Sequence, residues 1–118
     1  MWLRCAACSH QWPYLRFEIR CPRCGGDWLD VAYDLEAVRQ RWDRLLRQRP
    51  FTMWRYRELL PLRQDLHIVT MEEGGTPLLR AENLGLMLGR PRLYIKDERQ
   101  NPTGSFKDRQ ASLAISVA

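Results

Sequence analysis

Four cysteines and two lysines are the residues whose types and spacing could do chemistry. The cysteines form two Cys-x-x-Cys pairs, Cys5 with Cys8 and Cys21 with Cys24. Zinc prefers four ligands in a tetrahedron, and two such pairs supply them. Four thiolates predict a closed structural site, because a catalytic zinc keeps one position open for water. Two disulfides or free thiols are the alternatives, and a reducing compartment disfavours disulfides.

Two histidines are further candidates for metal binding. His10 lies two residues beyond Cys8, but four cysteines already complete a zinc shell, so we expect His10 not to bind. His67 has no candidate partner beside it in the sequence. The predicted metal site therefore consists of the four cysteines alone.

Lysine is rare in this chain, since only Lys96 and Lys107 interrupt a basic set that is otherwise arginine. Arginine stays protonated, whereas a lysine amine can lose its proton and form a Schiff base. Lys107 follows a glycine-containing loop and starts a predicted helix, where free N–H groups favour a neutral amine and a nearby phosphate. Strand alternation gives Lys96 a structural role. Lys107 is therefore the predicted reactive amine.

Residues 1–33 must position the cysteines. Trp12–Ile19 and Trp28–Tyr33 are each apolar enough for a short strand, and Gly25-Gly26 permits the tight turn of a metal knuckle. A segment of this length cannot build a sufficient core, so a bound metal would have a clear stabilising role. We predict a zinc ribbon over residues 1–33.

Residues 34–64 read as a helical linker. The sequence predicts a helix over Asp34–Arg49, with Asp34 as its N-cap and Pro50 as its stop. A shorter helix is predicted over Trp54–Leu60, ended by Pro61. The apolar stripe of the first helix consists of Leu35, Val38, Trp42, Leu45 and Leu46.

Residues 65–118 predict the beginning of an α/β domain. The last helix is still apolar at Ala118, and a parallel sheet needs more strand–helix units than this segment holds, so we expect an interrupted domain. The predicted elements are a glycine turn at Glu73–Leu78, a helix over Asn83–Leu88 ended by Gly89, a strand over Arg92–Asp97, a loop over Glu98–Gly104, and a helix from Phe106 that Ser105 caps.

Composition excludes several classes of protein. The chain is 45% hydrophobic and 28% charged, an ordinary globular balance. We expect a cytoplasmic protein, because no run of apolar residues is long enough for a membrane span and the first residues lack a signal peptide pattern. The formal net charge of +5 raises a nucleic-acid partner, but carboxylates are interleaved with the arginines, so we expect none.

Three separated motifs resemble one known family. Asn101–Arg109, read as N-P-T-G-S-F-K-D-R, resembles the lysine motif of threonine synthases, which belong to the tryptophan synthase β-like family of pyridoxal-phosphate enzymes. Glu73–Leu78 and Leu93–Glu98 are similar to segments upstream of that motif, and a leading pair of Cys-x-x-Cys knuckles occurs in many threonine synthases. The resemblance implies a small zinc ribbon plus the N-terminal part of an incomplete α/β domain of fold type II.

The resemblance also implies a reaction. In this family Lys107 would bind pyridoxal 5'-phosphate as a Schiff base and move protons on the substrate, while Ser105 and Phe106 position it. The implied reaction converts O-phospho-L-homoserine and water to L-threonine and phosphate. The family's glycine-rich phosphate loop and the partners of the pyridine ring have no counterpart here. We therefore expect an N-terminal portion of threonine synthase that is inactive alone.

Other functions stay open at this point. The lysine motif fixes the cofactor better than the substrate, so another lyase, a dehydratase or a cysteate synthase is an alternative. A second alternative is a zinc-ribbon module that binds nucleic acid or protein. A third is a segment that forms homo-oligomers through exposed apolar surface. The tryptophans that could stack on bases are Trp12, Trp28, Trp42 and Trp54.

Overall fold

The first unit is a small antiparallel sheet. The computed structural model describes residues 1–16 and 18–118 of the chain. Strands β1 (Trp2–Cys5), β2 (Gln11–Pro13) and β3 (Leu29–Ala32) pair in the order β2-β1-β3. Leu3 lies opposite Trp12 and Val31, and both Leu3 and Cys5 are buried. Strand alternation thus turns Cys5 inward, and we call this sheet with its four cysteines the cysteine module.

The two predicted strands of this unit fare differently. The strand predicted over Trp28–Tyr33 is confirmed as β3. The strand predicted over Trp12–Ile19 is too long among the described residues, because β2 ends at Pro13, which has no N–H to continue the ladder. Phe17 in that predicted strand lies outside the described residues.

The single helix predicted over Asp34–Arg49 is wrong in one respect. Two helices occupy it, α1 (Leu35–Arg39) and α2 (Trp42–Gln48). At Arg41 the backbone N–H bonds to the carbonyl of Val38, a tighter 3₁₀ step that interrupts the α-helical pattern. The break reorients α2, whose Trp42 ring centre lies 5.9 Å from that of Tyr56. Packing across the chain here overrides the local helix propensity.

Both ends of this helical pair follow the predicted chemistry. The Asp34 carboxylate accepts a hydrogen bond from the N–H of Ala37 at 3.0 Å, as an N-cap should. Arg49 is extended at φ −100° and ψ 147°, because the proline ring of Pro50 disfavours a helical residue before it.

The helix predicted over Trp54–Leu60 is present as 3₁₀ turns over Met53–Leu59, with a kink at Tyr56. Leu60 is extended before Pro61, as predicted. A further 3₁₀ turn spans Asp65–His67.

The last part of the chain holds a two-stranded sheet and the longest helix. Its elements are β4 (Leu78–Arg80), α3 (Glu82–Met87), β5 (Tyr94–Lys96), a 3₁₀ turn (Glu98–Gln100) and α4 (Lys107–Val117). The predicted helix ending at Gly89 is confirmed, and Gly89 has the left-handed φ of +62° typical of a helix end. Strands β4 and β5 are antiparallel, with Leu79 opposite Ile95.

The buried core joins the middle of the chain to α4. Met53, Trp54 and Leu62 are buried together, and Leu113 and Val117 of α4 pack against them. Two serines of α4 extend this contact with hydrogen bonds: Ser112 Oγ accepts from Trp54 Nε1 at 3.0 Å, and Ser116 Oγ accepts from the N–H of Val69 at 2.9 Å. The same interface is therefore apolar at its centre and hydrogen-bonded at its side.

No helix among the described residues is long and apolar enough to cross a membrane.

The two-stranded sheet and α3 leave large apolar side chains exposed. The large exposed apolar side chains of β4, α3 and β5 are Leu78, Leu79, Leu84, Leu86, Met87, Tyr94 and Ile95.

Candidate functional site

The four cysteine sulfurs lie together at one end of the cysteine module. Their Sγ atoms all lie within 4.8 Å of one another. The Cys5–Cys24 distance is 3.6 Å and the Cys8–Cys21 distance is 3.7 Å. A tetrahedron with Zn–S bonds of about 2.3 Å has edges of roughly 3.8 Å, whereas a disulfide needs about 2.05 Å. The cluster therefore has the dimensions of a four-thiolate metal site and not those of two disulfides.

Matching backbone hydrogen bonds frame the two cysteine pairs. In each pair, the N–H of the first cysteine donates to the carbonyl five residues later. Its own carbonyl accepts from the N–H four residues later. These bonds are Cys5 N to His10 O at 2.9 Å, Ser9 N to Cys5 O at 2.9 Å, Cys21 N to Gly26 O at 2.7 Å, and Gly25 N to Cys21 O at 2.9 Å. Two copies of one local frame thus hold the thiols on opposite sides of the cluster.

The neighbouring thiols differ in acidity. The backbone N–H of Cys8, helped by that of Ala7, lowers the pKa of the Cys5 thiol to about 7. The N–H of Gly26 acts in the same direction on Cys24, but its hydrogen bonds with the Cys8 and Cys5 thiols outweigh it and raise the Cys24 pKa to about 12. Cys5 and Cys24 therefore do not ionise independently, and a divalent cation bound in the cluster would favour the thiolate form of its ligands.

The predicted reactive lysine lies at the start of α4. Lys107 is its first residue and is exposed, and its backbone N–H donates to Ser105 Oγ at 3.2 Å. The Asp108 carboxylate accepts from the N–H of Thr103 at 2.8 Å, which closes the loop before the helix. Phe106, predicted to position the lysine, is 62% exposed. The loop therefore holds the Lys107 backbone while its side chain faces outward.

A carboxylate joins the three sequence motifs. Glu98 Oε1 accepts from Thr76 Oγ1 at 2.6 Å, and Asn101 Nδ2 donates to Glu98 Oε2 at 3.0 Å. Arg109 donates to both carboxylate oxygens, from Nε at 2.8 Å and from Nη2 at 2.9 Å. The hydrogen bonds of Arg109, and then that of Thr76, lower the pKa of Glu98 to about 2. We call Glu98, Thr76, Asn101 and Arg109 the Glu98 cluster.

Glu73, the first residue of the glycine turn, is a second carboxylate in this region, and it is fully buried at 0% exposure. It accepts hydrogen bonds from the hydroxyl of Thr70 at 3.1 Å and from the N–H of Met71 at 2.9 Å. Burial alone would raise the pKa of Glu73, but the hydrogen bonds from the N–H of Met71 and the hydroxyl of Thr70 hold it below its ordinary value. Glu73 therefore fixes the loop that leads into the glycine turn.

The two glycines after Glu73 lie against backbone, where a side chain has no space. A Cβ on Gly75, whose φ is +61°, would lie 1.9 Å from the carbonyl oxygen of Phe51. A Cβ on Gly74, whose φ is +101°, would lie 2.3 Å from the nitrogen of Met53. The N–H of Gly74 donates to Asn101 Oδ1 at 3.0 Å. The glycine turn thus connects the core segment to the Glu98 cluster.

The sequence motifs contain these polar residues, but sequence reasoning gave no role to Glu73, Thr76, Glu98 or Asn101. The sequence feature that could have pointed to them is a set of charged, amide and hydroxyl side chains inside motifs that are otherwise rich in turn residues. Arg109 of the lysine motif forms an ion pair with Glu98. Lys96, predicted to be structural, donates from Nζ to the carbonyl of Thr76.

Two tryptophans proposed for base stacking have other contacts. Trp54 is 7% exposed and donates its ring N–H to Ser112, so its faces are not available to bases. The ring of Trp12 stacks on His10 with centroids 5.4 Å apart, and His10 lies outside the cysteine cluster. Neither the Trp54 ring nor the Trp12 face that stacks on His10 is therefore open to a base.

Comparisons with known proteins agree with the motifs. Residues 69–118 match the family model described as pyridoxal-phosphate dependent enzyme. The chain is 40% identical over 116 residues to threonine synthase of Methanocaldococcus jannaschii, a match that covers 98% of this chain and 28% of the relative. Threonine synthase of Methanosarcina acetivorans is 38% identical with the same coverage. Threonine synthase of Mycobacterium bovis is 45% identical over 82 residues, covering 70% of this chain and 21% of the relative.

No solved structure matches the chain significantly. The chain spans 28% of the length of the two archaeal relatives. Residues 69–118 thus match the pyridoxal-phosphate dependent enzyme family model, within a chain that is similar to threonine synthases over 98% of its length.

Proposed function

We propose that this chain is the N-terminal portion of a threonine synthase in which Lys107 binds pyridoxal 5'-phosphate. The complete protein would convert O-phospho-L-homoserine and water to L-threonine and phosphate. The observation that carries this proposal is that the three separated motifs meet at Glu98. One partner of Glu98 is Arg109, and the exposed Lys107, two residues before Arg109, begins α4. Similarity to threonine synthases along nearly the whole chain supports the choice of reaction.

The residues present fit a cofactor attached through an amine. Within residues 1–16 and 18–118, no ion pair or side-chain hydrogen bond engages the Lys107 amine. Its two following neighbours are held, Asp108 by Thr103 and Arg109 by Glu98. An accessible amine on a fixed backbone is what attachment to an aldehyde requires.

Each part of this arrangement has a separate task. Bound pyridoxal phosphate supplies an aldehyde for amines and a ring that stores negative charge. Lys107 would hold the cofactor through Nζ, and the same nitrogen would accept and return protons on the substrate. Ser105 fixes the backbone of the lysine through its hydroxyl. Because the chain spans 28% of its archaeal relatives, we propose that the phosphate cradle and the partners of the ring lie in the remainder of a longer protein.

Chemical trapping tests the cofactor lysine. The complete protein, loaded with pyridoxal phosphate and reduced with borohydride, should carry the pyridoxyl group on Lys107 and not on Lys96. A Lys96→Arg variant is the matched control and should label like the wild type, whereas Lys107→Arg should not label. A label on any other residue of the wild type would remove the proposal.

Product analysis tests the reaction. The complete protein with O-phosphohomoserine should release threonine and phosphate in equal amounts. Release of a keto acid instead would assign the chain to a different lyase or dehydratase that uses the same cofactor. Formation of cysteate in a separate assay with the precursor of cysteate would assign it to a cysteate synthase.

We also propose that the cysteine module is a zinc ribbon over residues 1–33 with a structural role. The sulfur distances and the matched backbone frames support a tetrahedral ion, and four thiolates leave no position for a substrate. Metal analysis of protein purified without chelator should find about one zinc per chain. Recovery of two disulfides without metal would contradict the proposal.

The boundaries that we propose for the other segments are 34–64 for a helical linker and 65–118 for the beginning of the cofactor domain. Trp54 of the linker donates to Ser112 of the cofactor segment at 3.0 Å. We therefore expect these two segments to unfold together, and the zinc ribbon to unfold separately when its metal is removed.

A further inference from the structure

We propose that Glu98 is a positioning residue that fixes the backbone of Lys107 through Arg109. The inference rests on the proposed role of Lys107 in binding the cofactor. It assigns to Glu98 a task that neither the motif nor the comparisons give it.

The Glu98 carboxylate accepts as many hydrogen bonds as its two oxygens allow. Glu98 receives four hydrogen bonds, one from Thr76, one from Asn101 and two from Arg109, on two oxygens. A carboxylate offers about four acceptor positions, so this one is fully used. A glutamine at this position has one oxygen and an NH₂ group that would face a donor of Arg109. The charge and both oxygens are therefore needed.

The donors to Glu98 come from three segments. Thr76 lies in the glycine turn, Asn101 begins the lysine motif, and Arg109 lies in the first turn of α4. Asn101 also accepts from the N–H of Gly74 at 3.0 Å, so the loop and the glycine turn are joined twice. Thr76 and Asn101 are each about 4% exposed, whereas the lysine two residues before Arg109 is open to solvent. The Glu98 cluster is thus a largely buried set of hydrogen bonds that ends two residues from an exposed amine.

Contacts on both sides of Lys107 along the chain hold its backbone. Lys107 is held on one side by its N–H bond to Ser105. On the other side lies the bidentate ion pair of Arg109, with N–O distances of 2.8 and 2.9 Å. A planar guanidinium bound through two nitrogens fixes orientation as well as distance. Losing that pair would free the first turn of α4 to move, and Lys107 with it.

A role in global stability alone predicts a different result from a role in positioning. The core of Met53, Trp54 and Leu62 packs on the later turns of α4, through Leu113 and Val117. The cluster acts on the first turn. Positioning therefore predicts local loosening of residues 103–109 while the core contacts stay protected.

Hydrogen exchange on the cofactor-free chain tests this prediction without any activity. Glu98→Gln should raise amide exchange in residues 103–109 by about tenfold or more, as expected for loss of charge-assisted hydrogen bonds, with little change in residues 53–62. Glu82→Gln is the matched control, because Glu82 pairs with Arg80 on the exposed side of α3. Exchange in residues 103–109 within about twofold of wild type would overturn the proposal.

A second variant keeps the test decisive if Glu98→Gln unfolds the chain. Arg109→Lys retains the charge but donates from one nitrogen, so it should loosen residues 103–109 by a smaller factor at an intact core. Equal loosening of the core and residues 103–109 in Arg109→Lys would overturn the positioning role.

Cofactor attachment then separates this proposal from the one on which it rests. The complete protein is mixed with pyridoxal phosphate alone, and borohydride trapping is followed in time. Glu98→Gln should label Lys107 about tenfold more slowly than wild type and Glu82→Gln. Wild type that labels elsewhere defeats the proposed function, whereas wild type and Glu98→Gln labelling Lys107 at equal rates defeats only the positioning role.

Discussion

Ser9 and Gly25 occupy equivalent positions in the two cysteine knuckles. The N–H of each donates at 2.9 Å to the carbonyl of the first cysteine of its pair. Both have a left-handed backbone, with φ of 57° at Ser9 and 74° at Gly25. The second knuckle meets this requirement with glycine, whereas the first meets it with a residue that has a Cβ. The two halves of the metal site therefore carry different backbone strain.

This difference predicts unequal responses to substitution. A Cβ on Gly25 would touch nothing within 4 Å, so Gly25→Ala adds backbone strain alone and should cost about 1 kcal/mol. We propose that the module folds around zinc, so the zinc affinity should fall roughly fivefold. Ser9→Gly relieves strain but frees the unfolded chain, so its net effect should stay within about 0.5 kcal/mol. Competition with a chromophoric chelator measures both, and a larger loss for Ser9→Gly would contradict the equivalence.

Metal removal should act on the cysteine module alone. The short strands around β1 bury few side chains, among them Leu3, Cys5 and Tyr14. Without a cation to join the four cysteines, the module should lose its fixed structure. Circular dichroism and hydrogen exchange after chelation should report unfolding of residues 1–33 with protection retained in residues 53–62. Loss of protection in both regions together would show that the module is not a separate unit.

The glycine turn offers a sharper test of close packing. Gly75→Ala would place a Cβ 1.9 Å from the carbonyl oxygen of Phe51, so the backbone must move and the cost should be about 3 kcal/mol or more. Gly89→Ala is the matched control, since Gly89 also has a left-handed φ of +62° but no atom within 4 Å. It should cost about 1 kcal/mol. Urea unfolding measures both, and equal costs would contradict the contact with Phe51.

The parts of the fold that the sequence predicts are those fixed by nearby residues. The cysteine pairs, the Asp34 cap and the helix end at Gly89 each depend on chemistry within a few positions. The break at Arg41 was not predictable, because glutamine and arginine are good helix formers and the sequence has no proline or glycine there.

The candidate site divides in the same way. Lys107 and the four cysteines stand out by type and spacing. The Glu98 cluster does not, because Thr76, Glu98 and Arg109 come from three places in the sequence and only the fold joins them. A carboxylate in a turn-rich motif is compatible with a solvated surface until its partners are known.

The pH dependence of stability should report the Glu98 cluster. The folded pKa of about 2 lies below the ordinary value of 4.5, so the stabilisation is present above pH 4.5 and is lost as pH falls toward 2. The difference in free energy of unfolding between wild type and Glu98→Gln should be largest near pH 6 and shrink steadily below pH 4.5. Metal-free protein is used, so that zinc release at low pH does not contribute. A pH-independent difference between wild type and Glu98→Gln would contradict the assignment.

The serine side of α4 gives the last prediction. Ser112 Oγ accepts from Trp54 Nε1 at 3.0 Å and donates to the carbonyl of Val69 at 2.8 Å, and Ser112 and Trp54 are both buried. Ser112→Ala removes a small hydroxyl and leaves the indole N–H without its partner inside the core. The cost should be about 2 to 3 kcal/mol, more than the net value of one hydrogen bond, because the desolvated groups stay unpaired.

Ala111→Ser, one position earlier on the exposed side of the same helix, is the control for helix propensity and should cost no more than about 0.5 kcal/mol. Urea unfolding of the two variants decides between a buried polar anchor and an incidental contact. Equal midpoints would mean that Trp54 finds another acceptor or water when Ser112 is removed. A loss confined to Ser112→Ala would establish that the linker and α4 fold as one unit, because the donor and the acceptor lie 58 residues apart in the chain.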